Sequence, residues 1–147
     1  NYKYCVGTES TLTKYCFDSE YGKNGFTDDK TILDLEDDAA HVNWGDNWRM
    51  PTVEECEELE IDCEWTWTTL NGINGHKVTG PNGNSIFLPM ARSKGDRYDD
   101  TYISGYWSSS LYTSNTMLAY CMSIWTNGTQ FWNCKRYMGC PISPVYP

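Results

Sequence analysis

No run of about 18 apolar residues occurs in this 147-residue chain, so no segment is expected to cross a membrane as a helix. Histidine is scarce: the chain has two, His41 and His76, neither with an obvious partner, and a lone histidine is more often structural or solvated than catalytic. Basic residues are few, 11 Lys and Arg against 20 Asp and Glu, for a net charge of -9. Phosphate binding needs clustered cations, so nucleic acid is not an expected partner. The chain lacks a G-x-S-x-G elbow, a phosphate-cradling glycine loop, an H-E-x-x-H pair and a Cys/His pattern with zinc spacing. No enzyme, cofactor or metal is therefore expected. Residue 1 is not Met and no signal-peptide pattern follows it, so a processing or fragment boundary is expected there.

The charge that is present is unevenly placed. Residues 1–65 hold 17 of the 20 acids and 5 of the 11 bases, a balance of -12; residues 66–147 balance at +3. The acid run EECEELEIDCE reads as the solvated face of a helix rather than as paired catalytic carboxylates. Asp96, Asp99 and Asp100 with Asn82 and Asn84 offer oxygens to calcium, but a hard cation wants about six to eight converging oxygens. Seven Trp and eleven Tyr give rings to bury and rings to display. Seven cysteines point to an exported protein. Cys5 and Cys16 bracket a short loop and are candidates to bridge. Cys56 and Cys63 would lie about 10 Å apart on a helix, too far for a disulfide.

At this length one domain over residues 1–147 is expected. Residues 1–30 read as loops with one short strand. Residues 34–44 read as a short helix with acids in its first turn. Thr52 with Glu55 makes a capping box for a second helix over about 52–61, with Val53, Cys56, Leu59 and Glu60 as its inner stripe. Beyond Cys63 the period becomes strand-like, with strands over 65–70, 76–80, 84–90, 102–109, 118–125, 129–134 and 141–146. Two helices followed by many strands is an α+β arrangement.

The last third carries the clearest pattern. MLAYCMSIW, the turn TNGT and QFWNCKRYMG alternate about an Asn-Gly pair, the strongest short-range hairpin signal. Leu118, Tyr120, Met122 and Ile124 form one face and look like core; Ala119, Cys121, Ser123 and Trp125 form the other. A tryptophan on that second face suggests a binding surface. Two registers fit. A two-residue Asn127-Gly128 turn pairs 125 with 130 and sets Cys121 across from Cys134. A three-residue loop with Gly128 in a bulge pairs 125 with 129. It turns Trp132 inward with Met122 and Ile124, and turns Ser123, Trp125, Thr129, Phe131 and Asn133 outward. The second is preferred because it buries Trp132, at the cost of Gln130 on the inner face.

With NWRMPT (47–52) before an acidic helix, and GYWSSS (105–110), the chain resembles C-type-lectin-fold domains of bacterial surface proteins, of the collagen-like adhesin C-terminal type. LTKYC (12–16), EDDAAHVNWGDNWRMPT (36–52), WTWTTLNGINGHKVTGPNGNSIFLP (65–89) and YWSSSLYTSN (106–115) carry the resemblance over nearly the whole chain. It implies an α+β C-type lectin fold: two helices plus a twisted antiparallel sheet with long loops. The C-terminal stretch is similar to the variable proteins of diversity-generating retroelements. That likeness implies a variable binding surface at Cys121, Ser123, Trp125, Thr129, Phe131, Asn133 and Met138. Arg136, Tyr137 and Gly139 match the closing signature, and Ser143 departs from it. Changing the adenines of an Asn codon gives Cys, Ser, Thr or Phe but not Trp or Met, so Trp125 and Met138 need another template codon. Calcium-dependent sugar binding is not implied, because Trp132-Asn133-Cys134 ends in a residue without the ligand oxygen.

The expected function is thus non-catalytic recognition of a protein or glycan on another cell surface. It would be performed by a monomeric domain outside the cell, on its surface or on a phage particle. Trp125, Phe131 and Tyr137 are the expected anchors, Ser123, Thr129, Asn133 and Lys135 the hydrogen-bonding groups, and Tyr112, Asn115, Met117, Cys121 and Met138 their neighbours. The alternatives are a structural pilus or surface-assembly tip, and a cysteine oxidase of the sulfatase-activating type using Cys121, Cys134 and Cys140.

Overall fold

The computed structural model describes residues 3–5, 10–90 and 104–147. Asp96, Asp99 and Asp100 lie outside the described residues. The chain is mostly β. A 3-10 turn (Lys23–Gly25) and helices α1 (Ala39–Trp44) and α2 (Val53–Asp62) precede strands β1 (Glu64–Leu70), β2 (Ile73–Thr79), β3 (Ser85–Pro89), β4 (Ser104–Leu111), β5 (Leu118–Trp125) and β6 (Gly128–Lys135). The strands form two separate three-stranded antiparallel sheets, β1-β2-β3 and β4-β5-β6.

This architecture corrects the expected α+β C-type lectin fold with two helices on one twisted sheet. Among the described residues only α2 exceeds six residues, and helix accounts for about 15% of the chain. The acids of 34–37 do not begin a helix because they are drawn into other bonds. Lys14 binds Asp34, Glu36 and Asp37, and the Tyr15 hydroxyl donates to Asp37 Oδ2 at 2.6 Å. Helix α1 starts only after Asp38, which accepts from the backbone N–H of Ala40 and His41. The strand expected over 141–146 is one isolated bridge, Arg49 with Val145. Pro141 and Pro144 have no N–H to give a ladder.

Elsewhere the local signals hold. The Thr52–Glu55 capping box is formed in both directions. Arg49 grips Glu55 bidentately at 2.6 and 2.7 Å, which lowers the Glu55 carboxyl below its ordinary range. The three serines of GYWSSS lie where the β4–β5 register shifts, and the last two dock this helix. Ser110 Oγ accepts the N–H of Val53 at 3.0 Å, and Ser109 donates its N–H to the Pro51 carbonyl at 2.8 Å.

The main core joins α2 and both sheets through Cys56, Val78, Leu88, Tyr106, Met122 and Ile124, flanked by Leu59, Trp65 and Phe131. Burial and the surrounding glutamates push the Cys56 thiol up to about 12. His76, 2% exposed, lies edge-on to Trp65 and Trp67 with Nε2 2.6 Å from the Trp125 carbonyl, so it ties the first sheet to the end of β5. A second cluster, Tyr15, Leu111 and Ala119 with Tyr4, Leu33 and Trp107, covers the opposite face of β4 and β5.

Candidate functional site

Neither expected register of the last hairpin is present. Trp125 pairs with Gly128, Met122 with Phe131 and Cys121 with Trp132. Thr126 and Asn127 form the turn, and the positive φ of 154° falls on Gly128, where glycine relieves the strain. Phe131 therefore packs on the main core, while Trp132 is 49% exposed. Thr129 also lies on the core side, and its hydroxyl donates to Glu60 Oε1 at 2.7 Å. Cys121 and Ser123 are buried on the other face. Cys121 is bridged diagonally to Cys134, two residues along β6 from its directly opposed partner Trp132, with Cα atoms 6.2 Å apart. The Cys5–Cys16 bridge is absent: the Cys16 thiol donates to the Asp18 carbonyl at 3.1 Å.

The twelve expected site residues therefore divide. Cys121, Ser123, Thr129 and Phe131 serve packing or internal bonds. Trp125 is half-buried beside the turn, and Asn133 is exposed opposite Tyr120. Tyr112, Asn115, Met117, Lys135, Tyr137 and Met138 gather at the other end of the second sheet. Leu118 pairs with Lys135 there, and the Arg136 N–H donates to the Met117 carbonyl at 3.2 Å. Tyr112 meets Tyr120 edge-to-face at 5.4 Å. Lys135 Nζ sits 5.6 Å from the ring centre of Tyr137, which is 50% exposed.

The residue that organises this end is Tyr15, which lies within LTKYC and was not among the expected site residues. Its φ of 59° is left-handed, and it is fully buried. Its carbonyl accepts from Arg136 Nη1 at 2.7 Å and from the Thr116 hydroxyl at 3.3 Å; its N–H donates to Asp28 at 2.7 Å. Tyr15 thus ties the N-terminal segment to the 112–117 loop and to the 136–138 turn. Between the first two opens a cleft of about 610 Å³, lined by Phe17, Asp18, Tyr21, Thr113, Ser114 and Asn115 among others. That size falls in the usual range for ligand pockets, about 300–1,000 Å³. A smaller apolar cavity of about 230 Å³ lies under Trp107 and Ile142 and includes Cys140.

No protein-family model, curated protein or solved structure matches the chain. Asp34, Glu36 and Asp37 converge closely enough to suggest a cation site, but Lys14 already bonds all three.

Proposed function

We propose that this chain is a non-catalytic ligand-binding domain that recognises a protein or glycan on another cell surface. The carrying observation is the gathering of six candidate residues at one end of the second sheet, where Asn115 also lines the adjoining cleft. Tyr137 is the exposed anchor with Lys135 over its ring, and exposed Asn115 adds a polar group at the same end of the sheet. Aromatic anchors with adaptable polar neighbours are the usual make-up of a binding hot spot. The Cys121–Cys134 bridge supports residence in an oxidising compartment or at a cell surface. Retroelement diversification, within this reading, would act on exposed Asn133 and half-buried Met138 more freely than on buried Cys121 and Ser123.

The test is an array of glycans and host surface proteins probed with wild type beside Lys135→Ala/Tyr137→Ala. Both side chains are exposed, so the variant should melt within about 4 °C of wild type. Loss of signal by tenfold or more in the variant supports the reading. A ligand signal that the variant keeps in full refutes this placement.

A further inference from the structure

We infer that the cleft between Phe17–Thr27 and Thr113–Thr116 receives a basic side chain, lysine or arginine, from a protein ligand. The inference rests on the ligand-binding reading above and specifies one contact within it. Among the described residues that line the cleft none is lysine, arginine or histidine, and Asp18 is the single charged one. Several other acids of the N-terminal half are already occupied. Asp34, Glu36 and Asp37 hold Lys14, Asp28 accepts the N–H groups of Tyr15 and Cys16, and Asp38 accepts three backbone N–H groups. Asp18 has no ion pair among the described residues. Its Oδ1 accepts the Glu20 N–H at 3.0 Å, which orients the carboxylate and leaves acceptor capacity on both oxygens.

Two half-buried rings, Phe17 and Tyr21, line the same cleft. A carboxylate with aromatic rings suits an ammonium or guanidinium group, which gains from both the charge and the ring quadrupole. Asn115 is fixed by its Oδ1 accepting the Met117 N–H at 2.9 Å. Hydroxyls of Thr113 and Ser114 add acceptors for the remaining N–H groups of the guest. With no cation among its described lining residues, the cleft disfavours phosphate or carboxylate. The net charge of -9 would steer a basic partner toward it at low ionic strength.

The experiment is a ¹⁵N–¹H NMR titration of the whole chain with the capped tripeptides acetyl-Gly-Lys-Gly-amide and acetyl-Gly-Arg-Gly-amide. Acetyl-Gly-Gln-Gly-amide and maltotriose serve as uncharged probes. The basic peptides should shift the amides of 17–21 and 113–116, and the uncharged probes should not. Raising salt from 20 to 500 mM should weaken binding. Asp18→Asn should weaken it about fivefold, the scale of one exposed ion pair. Ser114→Lys, at an exposed position, should abolish it without loss of fold. Equal binding of the glutamine peptide or maltotriose, no shift with any basic peptide, or full binding by Asp18→Asn overturns the inference. If the array yields a ligand that Lys135→Ala/Tyr137→Ala loses and Asp18→Asn keeps, the ligand-binding reading stands and this contact falls.

Discussion

Exchanging the roles of Phe131 and Trp132 is the sharpest consequence of the hairpin register. In the structure Phe131 is paired with Met122 and packs on the cluster of Cys56, Val78, Leu88, Tyr106 and Ile124. Trp132 stands on the opposite face and is 49% exposed. Removing a fully buried phenylalanine side chain costs about 3–5 kcal/mol. Phe131 is only partly buried, so about 2–3 kcal/mol is expected for Phe131→Ala. Trp132→Ala loses half-solvated area on a surface strand and should cost about 1 kcal/mol or less. At about 2–4 °C per kcal/mol for a chain of this size, Phe131→Ala should lower Tm by roughly 4–12 °C and Trp132→Ala by less than about 4 °C. Thermal unfolding followed by circular dichroism, with the disulfide kept oxidised in both variants, reads the difference. If Trp132→Ala proves the more costly, the strand is shifted by one residue and every face assignment on β6 must be reversed. The same packing moves Phe131 from the expected anchors to the core, so Trp125→Ala with Phe131→Ala would also lower Tm.

Two other outcomes follow from particular contacts. Gly75 lies where a Cβ would meet the Leu88 carbonyl oxygen at 2.3 Å and the Phe87 ring at 2.8 Å, so Gly75→Ala should destabilise the first sheet by about 1–3 kcal/mol, read as a fall in the urea midpoint. Hydrogen bonds from Lys14 hold the Asp34 and Glu36 carboxyls below their ordinary values of 3.8 and 4.5. Groups with lowered folded pKa stabilise above their unfolded values and lose that contribution as pH falls through the folded ones. Wild type should therefore lose stability below about pH 4.5 more steeply than Lys14→Gln; parallel Tm-against-pH curves for the two proteins would refute the coupling.

Much of the local structure was legible because its causes are local. The capping residues of α2 sit three apart, and the 118–125 strand is bounded by turn signals on both sides. Register was not legible, and the reason is physical. Alternation reports which residues share a face, and it tells inside from outside only where one face meets water. Here α2 and the first sheet cover one side of β5 while Tyr15, Leu111 and their neighbours cover the other, so Met122 and Cys121 are both buried. Helix α1 was overextended because its preceding acids look like a first turn, whereas Lys14, some twenty residues earlier, claims them. The role of Tyr15 depends on contacts to Thr116 and Arg136, about a hundred residues away, which no pattern in LTKYC announces.

The bridge between Cys121 and Cys134 also bears on how this chain would carry load. A pull applied at residue 147 can peel β6 away from β5 only as far as Cys134, where the covalent link passes the tension directly into the central strand. The turn and the paired residues between the two cysteines stay slack. At about 3.3–3.6 Å per residue, the 13-residue separation conceals roughly 40 Å of contour length that only a reducing environment would release. A chain anchored on one surface while gripping another would keep its hairpin closed under tension as long as its surroundings remain oxidising.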